Sequence, residues 1–409
     1  MAKVEFTRVH QPLRFVKPHE LPNIEGNARA NHELGQMELA NINAVYMPSP
    51  EKVAGHVTRW ASLRSKYYYG RFFLAHMRTI LRVMFGRSKN PIADSAGVFL
   101  DLMPKLGLHI SAYGTPVHKD VHGVTAIVNS VHGGFFDGPT IAALTGWRMA
   151  GTASMVKFPV IGKLLAKLVQ RLGTVLIPRE KDIADETIKI PGFELPKDPV
   201  TGLKIVTSEA KAKMRDLVSD AFADAITDNS LVYFGEGEQG DLHNTGYFKP
   251  GALRALFDQH GKAVPGKVAQ GVVIDLEKAC YINKDGKVAV HEFKPGYRHE
   301  LRSIWCSYGH NGGYAEGQLG HTLYHVMSRP YDERGHRLYV GVHFLDPLNP
   351  ADYEVAGKDG EESRDLSAKN LADAMSRQIR HGLLYPPRKR AKTEAGYQMP
   401  TPFKVIKFS

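Results

Sequence analysis

His132 and Asp137 are the residues of this chain whose types and spacing point most directly to chemistry. They bracket the run His132-Gly133-Gly134-Phe135-Phe136-Asp137. A neutral imidazole can take a proton from an attacking hydroxyl. A carboxylate five positions on can fold back to hold the ring tautomer and stabilise the imidazolium. The two glycines let backbone approach a substrate closely. His-x4-Asp is a weak signal alone in a chain with 19 histidines, so what surrounds it decides its weight. Residues 123–130 (GVTAIVNS) read as a buried strand that delivers the histidine, and Pro139 suits the first turn of a following helix. The pair is therefore expected on a strand–turn–helix.

Other constellations carry less. Residues 235–240 (GEGEQG) fit G-x-G-x-x-G after an expected strand at 231–234. A dinucleotide site needs a helix to begin at that loop, and the continuation DLHNTGYFKPG is polar and turn-like. HGGFF is similar to a lipase oxyanion loop, but such a hydrolase needs Gly-x-Ser-x-Gly and the chain has none. His118/His122 and His321/His325 have i,i+4 spacing without the glutamate of HExxH, and read as structural or surface histidines. The two cysteines, Cys280 and Cys306, have neither a disulfide pattern nor a zinc spacing. No metal and no redox cofactor are expected.

The elements that would hold the site follow from periodicity. Residues 1–55 read as a loosely structured lead-in, and 56–122 as a helical region that can face a membrane. Within it, Trp60, Leu63, Tyr67, Phe73, Met77, Ile80 and Met84 recur at helical steps among Arg59, Arg64, Lys66, Arg71, Arg78 and Arg82. This N-terminal basic amphipathic helical region can lie in a bilayer interface or pack on a core with a solvated basic face. Residues 123–275 read as the catalytic core. Helices are expected at 158–172, 208–226 and 251–260, and strands at 173–177, 231–234 and 268–274. Residues 276–335 look like an insertion of unknown role. Residues 336–385 return a strand (338–345) and a helix (366–379, with Asp365 as its cap), and 386–409 form a basic tail. Alternating strands and helices make the class α/β.

Downstream of the His-x4-Asp come KFPVIGKLLAKLVQRLGTVLIPR (157–179), LVYFGEGEQG and TGYFKPGALRAL (231–256). This ordered set, over about residues 124–275, resembles the glycerolipid acyltransferase family, of which lysophosphatidic acid acyltransferases are the best-known members. The resemblance implies a mixed central sheet flanked by helices. It implies His132 as general base toward an acceptor hydroxyl, with Asp137 orienting it. Gly173 and Arg179 fall on the second motif, Arg179 holding the acceptor phosphate. Glu236 and Gly237 fall on the third and shape the acceptor pocket, and Lys249 lies in the Phe-Lys-x-Gly-Ala-like segment after it. The donor would be an acyl thioester on coenzyme A or acyl carrier protein, and the acceptor a lysophospholipid. The third motif has Gly235 where the family has Pro, and Glu238-Gln239 where it has Thr-Arg. An amine lipid or a larger head group therefore stands as the alternative acceptor, and a non-catalytic lipid-binding protein as the alternative class.

Composition agrees with a globular protein of 409 residues, 43% hydrophobic and 23% charged, with a net charge of +11. That excess favours anionic partners: a phospholipid surface, a phosphorylated substrate or nucleic acid. No nucleic-acid fold motif accompanies it, and no nucleic acid is expected. No run reaches ~18 apolar residues and the first residues lack a secretory core. The expectation is a cytoplasmic protein peripheral on an anionic membrane.

Overall fold

The computed structural model describes residues 10–23, scattered helical positions between 63 and 90, and residues 91–130, 137–152, 162–178, 194–235 (without 201 and 203), 248–292 (without 284) and 329–384. Strands β1 (Leu108–Gly114), β2 (Thr125–Ser130), β3 (Arg148–Thr152), β4 (Val175–Ile177), β5 (Leu231–Phe234), β6 (Lys267–Ile282), β7 (Val288–Glu292) and β8 (Leu338–Phe344) form one sheet. Its order is β1-β8-β6-β2-β5-β3-β4, with β7 also paired to β6. From β6 through β4 the strands run parallel. β8 runs against β6, and β1 runs with β8. Helices α1 (Pro91–Lys105), α2 (Lys119–His122), α3 (Asp137–Thr145), α4 (Gly162–Arg171), α5 (Ser208–Ala225) and α6 (Gly360–Leu384) complete the described fold. It is α/β with a mixed sheet flanked by helices.

A central parallel strand covered on both faces should be apolar nearly throughout. β2 is buried at every position, and its polar Asn129 and Ser130 stand at the carboxyl end. On one face Ile127, Leu231, Tyr233 and Ala269 pack against α5, α6 and the short 3-10 turn Pro250–Leu256. On the other, Ala126, Val128, Val232 and Val268 pack against Ile141, Leu144 and Trp147. The N-terminal strap joins the two. Leu13 and Phe15 reach one core and Val16 and Leu21 the other. The Val16 amide donates to the Pro347 carbonyl at 3.1 Å, and Lys17 Nζ lies 3.1 Å from Asp352.

Four expectations change. The 56–122 region holds core-packing α1 and the strand β1, in which Leu108, Ile110 and Ala112 alternate with His109 and Ser111. The helix expected at 251–260 is the 3-10 turn Pro250–Leu256, pinned by Arg254, which is only 2% exposed. Its guanidinium reaches Asp365, Glu361 at 2.6 Å and Asp216 at 3.1 Å. β6 runs on to Ile282, so the first residues of the supposed insertion belong to the sheet. α6 starts at Gly360, with the Asp359 carboxylate accepting from the Glu362 amide at 2.7 Å. Asp365 is thus not a cap: it sits inside the helix as a partner of Arg254 and Arg215.

Candidate active site

In a parallel sheet, ligands gather beyond the carboxyl ends of the strands. Here β2 and β5 end together, Ser130 opposite Phe234. β2 leads through residues 131–136 to Asp137, the first residue of α3, which is only 2% exposed. A carboxylate in the first helical turn is favoured by the helix's positive end. The next position, Gly138, packs closely on its neighbours. A Cβ on Gly138 would lie 2.5 Å from Met149 Cε and 3.3 Å from the Phe234 ring. The start of α3 is thereby seated directly on β3 and β5.

Across the same edge, Asn129 does work that the spacing of the motifs did not reveal. Its Oδ1 accepts from the Gly235 amide at 2.8 Å, and the Gly235 carbonyl accepts from the Lys249 amide at 2.7 Å. Asn129 is wholly buried, and among the described residues its Nδ2 has no hydrogen-bond partner. The turn leading to Glu236 is thus tied both to β2 and to Lys249, whose side chain is exposed. Beneath it Tyr233 is buried edge-on to Phe222, and burial pushes its phenol well above the usual range, so it stays neutral. The polar pair Asn129-Ser130 at the end of a buried strand was the signal in the sequence that could have found this anchor.

The ends of the first and third motifs are therefore brought together: Asp137, Gly235 and Lys249 meet at one edge. His132, Arg179, Glu236 and Gly237 lie outside the described residues. β4, which runs toward Arg179, points to the same edge three strands from β2, or ~14 Å away at ~4.8 Å per strand. Gly173 is at the opposite end of β4. It ends the turn after α4 with φ 64°, and a Cβ there would lie 2.7 Å from Arg148 Nε. Its part is to close that turn. Arg171, at the end of α4, donates to the Val83 carbonyl at 2.5 Å. The His118 amide donates to His122 Nδ1 at 3.1 Å, which ties that pair into the α2 turn.

An apolar slot of about 190 Å³ lies along α3 from Pro139 and reaches Arg148, Leu172 and Thr174 at the amino ends of β3 and β4. Pro139, Ala142 and Ala143 form one wall, Ala96 and Phe99 of α1 another, and Trp147 and Met149 the floor. It takes about six water-sized groups at ~30 Å³ each. Trp147 is fixed there by its Nε1, which donates to the Val117 carbonyl at 3.0 Å. Among the described residues no three His, Cys, Asp or Glu side chains are grouped to hold a metal. No known family's model matches the chain, and no curated protein matches it.

Proposed function

We propose that the chain is an O-acyltransferase that moves a fatty acyl group from an acyl thioester to the hydroxyl of a lysophospholipid. The observation that carries the reading is Asp137: a buried carboxylate at the start of α3, on the carboxyl edge of a central parallel strand, with an apolar slot along the same helix. His132 takes the proton of the acceptor hydroxyl as its oxygen attacks the thioester carbonyl. The carbon–sulfur bond then breaks and the leaving thiolate takes that proton from the imidazolium. Asp137 holds the ring and offsets its charge. The start of the acyl chain lies in the slot beside Pro139 and Ala142.

Arg179 beyond β4 and Lys249 beside Gly235 supply cations for the acceptor phosphate, and Glu236 and Gly237 border its pocket. The donor is acyl-coenzyme A or acyl carrier protein. The altered third motif favours an acceptor with a larger or amine-bearing head group over simple lysophosphatidic acid.

Among the described residues no helix is long and apolar enough to cross a membrane. The helical residues between 63 and 83 instead present Leu63, Tyr67, Leu74 and Leu81 to solvent, at 55%, 58%, 68% and 43% exposure. Lys66, Arg71 and Arg78 are exposed beside them, and no acidic residue occurs between Glu51 and Asp94. Self-association of this stripe would set arginine against arginine, whereas anionic lipid satisfies both its apolar and its basic sides. The protein works as a peripheral enzyme on the cytoplasmic surface of an anionic membrane.

The test is thiol release from acyl-coenzyme A, and then from acyl carrier protein, over a panel of lysolipids. Release should depend on the acceptor and fall by about 10²–10⁴-fold in His132→Ala. Wild-type turnover in that variant refutes the assignment of the base, and silence with every donor and acceptor leaves the lipid-binding reading.

A further inference from the structure

β6 is sixteen residues long, and β2 pairs only with its first part. Val272 pairs with Ser130 on one side and Phe344 on the other, so β2 and β8 occupy opposite edges of β6. Lys278 and Ala279 pair with β8 on one edge and with β7 on the other. β7 therefore stands on the same edge as β2, beyond the carboxyl end of β2. The stretch of β6 between them, from Val272 to Lys278, is roughly 20 Å at ~3.3 Å per residue. The β6–β7 hairpin therefore projects beyond the carboxyl edge at which β2 and β5 end together.

That hairpin is preordered. Asn283 Oδ1 accepts from the amides of Asp285 at 3.0 Å and Lys287 at 2.9 Å, and Gly286 takes the left-handed φ of 73° that the turn requires. Lys278 and Glu292 pair across its base at 3.4 Å. Ile282 pairs with Val288 and Cys280 with Val290, which places Ile282, Val288 and Val290 on one face. They are 55%, 48% and 46% exposed. Burying three β-branched side chains is an ordinary task for a strand, and here they are left in water at the tip of an extension.

We infer that the β6–β7 hairpin sets its Ile282, Val288 and Val290 face into the headgroup–acyl boundary of an anionic membrane and so holds the mouth over β2 against the lipid surface. The inference rests on the acyltransferase reading for its purpose, because an acceptor drawn from a bilayer must enter at that mouth. Its occupant follows from size and charge. Three aliphatic side chains fall well short of the ~800 Å² per partner that a stable protein interface buries. Exposed Lys287 and Asp285 offset one another at the turn, so the charge that decides is the chain's: a second copy would bring the same +11, whereas anionic lipid is attracted by it.

The experiment uses full-length protein and phosphatidylcholine vesicles with or without phosphatidylglycerol. Val290→Trp reports on the hairpin, and Val200→Trp, at a position 91% exposed on another segment, is the control. In anionic vesicles with brominated acyl chains, the Val290→Trp emission should shift to the blue and be quenched, and the control should do neither. The Ile282→Ser/Val288→Ser/Val290→Ser variant should bind these vesicles about tenfold more weakly and keep wild-type transfer to a monomeric short-chain acceptor. An unshifted Val290→Trp spectrum overturns the inference, as does equal quenching of the control. A dimer that the triple serine variant abolishes overturns it in favour of a second copy. Quenching without acyl transfer from any donor keeps the lipid contact and removes the acyltransferase reading. Transfer with an unquenched reporter does the reverse.

Discussion

Asn129 and Gly235 occupy one another's space so closely that their substitutions must be coupled. Replacing Asn129 by Ala removes the acceptor of the buried Gly235 amide, now held at 2.8 Å. Leaving a buried donor unsatisfied costs about 1–3 kcal/mol. Replacing Gly235 by Ala puts a Cβ 2.6 Å from Asn129 Nδ2 and 2.9 Å from its Oδ1. Asn129 is fully buried, so its amide has little room to withdraw, and overpacking of this kind costs about 1–3 kcal/mol. In the double variant the new methyl enters the space the amide has left. The cost of Gly235→Ala should then fall by at least about 1 kcal/mol, beyond the ~0.3–0.5 kcal/mol within which independent sites add.

Urea unfolding of the wild type, both single variants and the double variant measures this, provided the slope m stays constant. The single variants should also lose acceptor-dependent transfer, since Glu236 and Gly237 follow the displaced turn. Additive stabilities would refute the reasoning: Asn129 and Gly235 would then not share a packed contact, and Asn129 could not be what positions the third motif.

Other outcomes follow from the same geometry. Asp137→Asn should keep the fold, seen by far-UV circular dichroism, while thiol release falls by about 10²-fold or more; unchanged turnover would remove Asp137 from the site. Ala142→Phe should fill the slot beside α3 and lower kcat/KM for long-chain donors more than for acetyl-coenzyme A, and an equal loss for both would disconnect the slot from the acyl chain. Arg254→Met should destabilise by about 3 kcal/mol, the lower end for a broken buried pair, because Asp216, Glu361 and Asp365 are 46%, 53% and 37% exposed and can rehydrate; thermal unfolding measures it, and an unchanged midpoint contradicts it. Glu361 is held below its ordinary 4.5 chiefly by its hydrogen bond from Arg254. A depressed carboxyl contributes stability above its unfolded pKa and loses it as pH falls through the folded one. Urea midpoints should therefore decline below pH 4.5, and less steeply in Glu361→Gln; identical slopes would discount the pairing.

How much was legible in the sequence depended on whether the signal was local. β2, β5 and α5 announce themselves within their own residues, as an apolar run after a turn glycine or as an apolar stripe behind a Thr207 cap. The ends of β2 and β5 are tied together at Gly235, through its bonds to Asn129 and Lys249. Asn129 itself was passed over because a polar residue in a buried strand looks like a fault until its partner, 106 positions away, is known. Gly173 was taken with its motif, although its left-handed φ belongs to a turn at the other end of the sheet. The upper half of β6 was lost for a related reason. Glu277 and Lys278 interrupt the apolar alternation, and a bulge shifts the register between Leu276 and Lys278, so no single period runs through the strand.

That long strand also explains why the chain must return after residue 330. β6 needs a partner on its far edge, and β8 supplies it along Val272–Ala279 while Leu348 bridges to Ala269 below. α6 then closes over the join. A Cβ on Gly271 would lie 2.9 Å from Ile379 and 3.0 Å from Leu345, so helix and strand touch at a spot that only glycine leaves open. Gly271 is the β6 residue opposite Asn129. Pressure from α6 on β6 is thereby passed directly to the strand whose end carries the site. The returning segment is accordingly part of the support for Asp137 and Gly235.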